Sequence, residues 1–374
     1  MGGGHAHLSV LRALAKTRPA GLDVVLITPS RHQNYSGMLP GWVAGHYTRA
    51  QCRVDLNPLV QAAGARLVLD QIGGMDAARR CVGLTHGPHV EYDLLSLDVG
   101  SETDTSWLET LGDKLLPVKP LDNFFVSWPR ILAVARAKKG YKLVVVGGGA
   151  AGVEMALAAQ HAFRRAGVDG HVDLVASESG LLPGHAKGVQ TRVQRFAEHA
   201  ELGLHFERGV GSEDGVLLAD GHLVQADQVI AATGARPALW LGPSKLGLDE
   251  DGHILVDKYH RSVSHPNVFA AGDVCARSDV AMERSGVHAV HAGPVLAHNL
   301  LAILNGAFLH PYMPTPRSLY LLACGPRHAV ASWGRWSAEG QWVWRWKDWI
   351  DRGFIRRFSV MPRTLAPHMV EHTR

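Results

Sequence analysis

Three glycines set the chemistry open to this chain. Gly147, Gly149 and Gly152 keep a GxGxxG spacing, directly after the β-branched run Val144-Val145-Val146 and just before Val153–Arg164, a stretch rich in Ala, Leu and Met. Strand, tight turn and helix in that order leave backbone N–H groups free at the helix start, where a diphosphate can approach. The turn, which includes Ala150 and Ala151, reads as a dinucleotide site. Glu154 either pairs with a neighbouring Arg or holds a proton beside the ligand. Lys119, in Pro117-Val-Lys-Pro120, is either a solvated loop charge or a cation against a ligand ring. Asp273, at the end of Phe269-Ala-Ala-Gly-Asp, is either a helix cap or a ligand contact.

Other chemistries find no support. The 22 histidines show no HExxH or similar spacing, and His5 and His7 fall on a turn, so no metal site is expected. Cys52, Cys81, Cys275 and Cys324 form no CxxC or CxxxxC pair, which excludes a redox disulfide between near neighbours in sequence. Cys275 reads as a small buried residue, and a reduced cytoplasmic compartment is the simplest setting.

The elements that position these groups come in two similar sets. Gly2-Gly-Gly-His-Ala-His7 followed by Leu8–Lys16 looks like a second phosphate turn with its helix, although only Met1 precedes it and His7 takes the third glycine's place. Asp23–Thr28 is a strand, and Thr28 stands where an acid often holds a ribose. Ala65–Asp70, Arg80–Thr85 and Val90–Val99 are strands ending at Gly100-Ser101. After the central glycines the order returns as Leu204–Val210, Gly215–Leu218 and Leu223–Ala232, ending at Thr233-Gly234, with an Asp220-Gly221 hairpin signal. Two copies imply two nucleotide-binding domains. Asn267–Asp273 is a further strand, Gly286–Leu304 a helix, and Leu319–Ala323 with Ala329–Trp333 a hairpin.

At 374 residues the chain has room for two or three domains, and 46% hydrophobic residues describe a soluble globular protein. No uncharged apolar run of about 18 residues is evident, so no transmembrane helix is expected, nor does the N-terminus look like an export signal. The formal charge of +4 is matched by Arg345–Arg363 alone, with six basic and two acidic residues, which argues against a general nucleic-acid binder. Six of the ten tryptophans lie within Trp333–Trp349, and Trp342, Trp346 and Trp349 share a helical face. That face suits either peripheral contact with a membrane or packing against the rest of the fold or a dimer partner.

Two glycine turns, the Thr233-Gly234 exit and the late Gly272-Asp273 together resemble the pyridine nucleotide-disulfide oxidoreductase superfamily. The loop Asn34–Gly45 is similar to that of type II NADH dehydrogenases. GGGHAH, PVKP and WRWKDWIDR resemble the FAD-dependent branch also found fused ahead of selenide, water dikinase. The resemblance implies an α/β fold of two Rossmann-like, three-layer ββα domains. An FAD domain (1–121 and 238–310) would be interrupted by an NAD(P)H domain (122–237), with a small C-terminal α+β region (311–374).

The same resemblance implies the site. FAD would meet Gly2, Gly4, His5, Ala6, Thr28, Arg31, Ser36, Gly37, Met38, Ile72, Gly100, Ser101, Lys119, Gly272 and Asp273, with the ribitol on Asp273. The helix near Val287 and His288 would point at the flavin pyrimidine. NADH or NADPH would meet Gly147, Gly149, Ala150, Ala151, Gly152, Ser177, Glu178, Thr233 and Gly234. Ala176 stands where NAD-selective relatives carry an acid, which leaves the choice of nicotinamide open. Glu154, Lys119 and His291 would be the catalytic side chains. Val287 and His291 replace the two glutamines of AQxxxQxG in quinone-reducing relatives. As written, the FAD sheet lacks its central strand and weak flavin retention is expected.

The activity implied is hydride transfer from NAD(P)H to FAD, then electron delivery to a quinone-like or other small acceptor. The alternative is a flavin- and nicotinamide-binding sensor or partner module linked to selenium metabolism.

Overall fold

Leu143–Val146 is a run of four buried residues, and it lies in the middle of a parallel sheet. The computed structural model describes residues 1–282, 286–315 and 317–359; Arg363 and the rest of the expected C-terminal region beyond Ser359 lie outside them. The sheet runs Leu115–Pro117, Gln228–Ala231, Tyr141–Val146, Gly170–Ala176, Gly203–Phe206. A sheet covered on both faces carries unbroken apolar strands. Leu143, Val145, Leu174 and Ile230 pack with Met155, Leu157 and Phe163 of the helix Ala150–Ala166. Val144, Val146 and Val229 instead pack with Val216, Leu218 and Val224 of an antiparallel meander. Helix, parallel sheet and meander form a three-layer, Rossmann-like unit.

The other unit is built alike but divided. Val25–Thr28 pairs in parallel with Arg66–Leu69, and Leu95–Leu97 pairs in parallel with Val268–Ala270. Residues 1–4 stitch these pairs together. Gly2 N donates to Ile27 O at 2.8 Å, Asp98 N donates to Met1 O at 2.9 Å, and Gly4 N donates to Asp98 O at 3.2 Å. The helices His5–Thr17 and Gly286–Leu304 then run side by side; a Cβ on Gly293 would lie 2.8 Å from Ser9 Oγ. Gly286–Leu304 is uncharged along all 19 residues, so the expected lack of any such run needs correcting: it passes for a membrane span by length and composition. Here it is a core helix that buries Ala289, Ala292, Leu296 and Leu300.

Three long strands read from the sequence are each broken. Val90–Val99 is Val90–Glu91 and Leu95–Leu97, Leu204–Val210 is Gly203–Phe206 and Gly209–Ser212, and Leu223–Ala232 is Leu223–Gln225 and Gln228–Ala231. In each case the chain passes between a parallel sheet and a meander, and a strand cannot serve both without a turn. Asp227 marks one such turn: its carboxylate accepts from Lys142 N at 3.0 Å and pairs with Lys138 at 2.6 Å.

The tail hairpin gains a third strand, Trp336–Gly340, before the helix Gln341–Ser359. This helix buries Val343 and Trp344 with the core that holds Leu143 and Val145, and Phe354 and Phe358 with Leu8 and Leu11 of the divided unit. The two chain crossings between the units also meet, because Glu102–Thr103 pairs antiparallel with Ala235–Arg236.

Candidate functional site

The central turn has the features of a phosphate cradle. Gly147 sits at φ +136°, a conformation that L side chains rarely adopt, and a Cβ on Gly152 would come within 1.9 Å of Gly147 O. Helix and strand therefore approach as closely as backbone allows. A Cβ on Gly149, by contrast, would meet no atom within 4 Å, so the turn faces open space at the helix N-terminus.

In the N-terminal turn, His7 solves the problem posed by the lost third glycine. Its ring turns inward, with Nδ1 2.6 Å from Gly2 O and Nε2 2.8 Å from Ser96 Oγ, so it ties residue 2 to the neighbouring strand. Burial pushes its imidazole down to about 3. Asp98, which no motif marked, lies under this turn. Its Oδ2 accepts from His7 N at 2.9 Å, Ala6 N also donates to it, and burial pushes the carboxyl up to about 7.

Three segments converge beside it. Lys119 Nζ donates to Asp273 Oδ2 at 2.6 Å and to Ser101 Oγ at 3.1 Å, while Ser101 Oγ donates to Asp273 at 3.4 Å. His5 senses both charges; its Nε2 is buried without a hydrogen-bond partner, and burial pushes the imidazole down to about 4.

A second cluster joins this region to the central turn. Glu154 Oε1 accepts from Ala323 N at 2.7 Å, and burial pushes the carboxyl up to about 7 against the opposing pull of Lys347. Lys347 Nζ donates to Asp351 Oδ2 at 2.9 Å and to Gly37 O at 2.7 Å. Burial opposes its charge, but Asp351 and Glu154 prevail and raise its pKa. Tyr35 hydrogen-bonds Asp351, stacks on Phe354 at 4.3 Å and stands edge-on to His5 at 5.5 Å. Buried and half-buried polar groups thus run from Glu154 through Lys347, Asp351 and Tyr35 to His5 and Asp273. Glu154 pairs with no neighbouring Arg in this cluster; its cation is Lys347, from the far C-terminal helix.

Residues 1–299 match the sequence profile of the pyridine nucleotide-disulphide oxidoreductases. The chain belongs to that family. Among family relatives, the ferredoxin–NAD(+) reductase component of a biphenyl dioxygenase system from Paraburkholderia xenovorans is 32% identical over 55% of this chain. This chain spans about half of that relative, 49%. A NADH dehydrogenase-like protein of Mycobacterium tuberculosis is 26% identical over 79% of this chain and 75% of its own length. Two solved structures share the fold at a TM-score of 0.79: NDH2 of Plasmodium falciparum in complex with NADH (13% identical, covering 96% of this chain and 97% of that one), and the sulfide:quinone oxidoreductase of Aquifex aeolicus (15%, covering 96% and 90%).

The family uses FAD and NAD(P)H, and the residues present fit both. The open face at Gly149 suits one diphosphate, and the unpartnered His5 Nε2 beside Asp273 suits a polar ligand. Ser36, Gly37 and Met38 form one short turn; Met38 is fully buried, and Ser36 Oγ lies 3.7 Å from where a Cβ on Gly286 would sit, so the turn adjoins the N-terminal end of Gly286–Leu304. Thr28 is buried next to Gly3, and Gly100 leads into Ser101.

The other members of the expected site enter none of the hydrogen bonds described above, although Thr233 N lies 3.4 Å from where a Cβ on Gly147 would sit. Arg31 is exposed and held bidentately by Asp55 at 3.0 and 2.7 Å. Ile72 begins a meander strand, and His288 Nδ1 lies 3.2 Å from Tyr312 Oη. Val287 is half-buried and His291 exposed on the same helix. Ser177 is half-buried and Glu178 exposed, just past the strand Gly170–Ala176. Thr233 Oγ1 donates to Asp104 O, and Gly234 O accepts from Asp104 N at 2.8 Å, at the crossing between units. None of the four cysteines is in a disulfide, and Cys275 is 1% exposed.

The sequence reading missed Asp98, Tyr35, Lys347 and Asp351. Lys347 and Asp351 are one helical turn apart in WRWKDWIDR, a spacing that could have marked them as a pair.

Proposed function

We propose that this chain is an FAD-dependent NAD(P)H oxidoreductase serving a quinone-like or other small acceptor. The observation that carries the reading is the run of buried and half-buried polar groups that joins Glu154, beside the central turn, to His5 and Asp273, beside the other. Bound FAD supplies the redox chemistry, taking hydride from the nicotinamide and giving electrons to the acceptor.

The chain's own residues place and polarise the reactants. In this reading residues 1–121 and 238–310 hold FAD, with Gly2 and Gly4 at the diphosphate and Asp273 at the ribitol. Residues 122–237 hold the nicotinamide dinucleotide, with Gly147–Gly152 at its diphosphate and Ser177 and Glu178 near its adenosine ribose. Glu154 holds a proton at its carboxyl near neutral pH, and Lys347 keeps a fixed positive charge beside it. Placement carries most of the rate.

The decisive experiment mixes flavin-replete protein anaerobically with NADH or NADPH and follows flavin absorbance, then screens soluble quinones and a ferredoxin. Bleaching with turnover supports the proposal. Bleaching without turnover on any acceptor favours the sensor reading, and no bleaching by either nicotinamide sinks both.

A lipid-soluble acceptor draws support from one further observation. Trp333, Trp336, Trp342 and Trp349 are 53%, 45%, 54% and 67% exposed, and Trp342 and Trp346 stack at 6.4 Å. Exposed indoles with Arg335 and Arg345 nearby in sequence suit the inner face of a membrane in the cytoplasm. Co-sedimentation with anionic liposomes tests this against a dimer interface: a change in sedimentation without lipid, and none with it, would favour the dimer.

A further inference from the structure

The Asp98 carboxylate occupies ground that a diphosphate would contest. It sits between the two glycines that this reading brings nearest the FAD backbone and sugar. A Cβ on Gly4 would lie 2.3 Å from Asp98 Cγ, and a Cβ on Gly272 would lie 2.8 Å from Asp98 Oδ1. The residue is 3% exposed, and it accepts the N–H groups of Ala6 and His7. Those are among the first free donors of the helix His5–Thr17, the kind a phosphate uses. A simple helix cap explains the two hydrogen bonds. It does not explain an acid placed beside a second acid, Asp273, at the cradle for a ligand that is itself dianionic.

We infer that Asp98 takes up one proton when FAD binds, so that cofactor affinity falls as pH rises. The inference rests on the FAD reading of this turn. Its physical basis is like-charge repulsion in a buried setting, which favours the neutral acid as more negative charge arrives.

The charged groups that act on Asp98 are the Met1 amine and Asp273 of the Gly272 turn; the His7 ring is held by Gly2 O and Ser96 Oγ, and His5 and Lys119 act on Asp273. Burial lowers the Met1 amine to about 5, His5 to about 4 and His7 to about 3. All three are neutral above pH 6, whereas burial has already raised Asp98 to about 7. The FAD diphosphate keeps its charge throughout. An uptake of one proton would then come from buffer onto an Asp98 oxygen.

The test is FAD affinity from pH 6 to 8.5, measured by flavin fluorescence on the protein stripped of flavin, for the natural chain and Asp98→Asn. The natural chain should lose affinity at up to about tenfold per pH unit over part of this range. Asp98→Asn should be nearly flat. Calorimetry of FAD binding to the natural chain in two buffers of different ionisation enthalpy should count up to about three-quarters of a proton taken up near pH 7.5, because a group at about 7 is already partly protonated there; this needs no variant. A flat natural chain, an unchanged slope in Asp98→Asn, or no proton uptake overturns the inference and leaves the FAD reading intact. No FAD binding at any pH overturns both.

Discussion

The Lys119 ammonium stands 2.6 Å from Asp273 Oδ2, with the Ser101 hydroxyl against both. Three stretches meet there: the turn that follows the strand Leu95–Leu97, the PVKP loop with its Lys119 18 residues after Ser101, and the Gly-Asp turn 154 residues after Lys119. Their side chains can therefore report on one ligand.

Asp273→Ala should lower flavin content in purified protein. A hydrogen bond involving a charged group is worth about 1.5–3 kcal/mol, so FAD dissociation should rise by roughly tenfold or more. Lys119→Met should retain flavin but lower the flavin reduction potential, since a positive charge near the ring favours its reduced form. Flavin stoichiometry and a redox titration separate the two effects.

Glu154 should impose a pH dependence on flavin reduction. Its carboxyl, raised to about 7 chiefly by burial, is neutral below that pH and ionised above it. Oxidation makes the nicotinamide ring cationic, so an ionised neighbour should favour it. Stopped-flow reduction by NAD(P)H should accelerate through about pH 7, and Glu154→Gln should remove that step. The same shift bears on stability. A carboxyl raised from 4.5 to about 7 stabilises the fold fully below 4.5, and that contribution is lost as pH rises to about 7. Glu154→Gln should flatten that part of the stability profile in urea unfolding.

Lys347 and Asp351 have side chains only 12% and 5% exposed. Breaking a buried pair leaves the remaining charge uncompensated, so Asp351→Asn should cost about 3–5 kcal/mol. Replacing both by Met and Leu should recover much of that. Denaturation midpoints of the single and double variants check the sign.

Glu178 follows the strand whose last residue, Ala176, is not acidic, and its exposed carboxylate is the nearest negative charge in sequence to the expected ribose position. Glu178→Arg should raise kcat/KM for NADPH relative to NADH by about tenfold or more, because a guanidinium binds a 2′-phosphate bidentately. Steady-state kinetics with both nicotinamides decides it.

The glycine turns were legible because their function resides in spacing: Gly147, Gly149 and Gly152 need no distant partner to be recognised. The same holds for Gly272-Asp273. Asp98 was hidden because its meaning comes from a helix N-terminus more than ninety residues away in sequence. His7 looked like damage to a motif, since sequence cannot show a ring folding inward onto Gly2 O and Ser96 Oγ. Strand lengths failed for a related reason. Val90–Val99 and Leu223–Ala232 are continuous in hydrophobicity, yet each must leave one sheet and enter another. In the tail, the helical face of Trp342, Trp346 and Trp349 was readable from periodicity, whereas the strand Trp336–Gly340 was absorbed into the same aromatic stretch.

Both passages of the chain between its halves share the small ribbon of Glu102–Thr103 and Ala235–Arg236, while Gln341–Ser359 joins the halves a second time, with Phe354 beside Leu8 in one core and Val343 in the core that holds Leu143. A body hinged at one place and strapped at another has little freedom to yaw. Ring-to-ring spacing would then be machined in by the strap, and trimming the strap should loosen the gap between donor and flavin before it unseats either one.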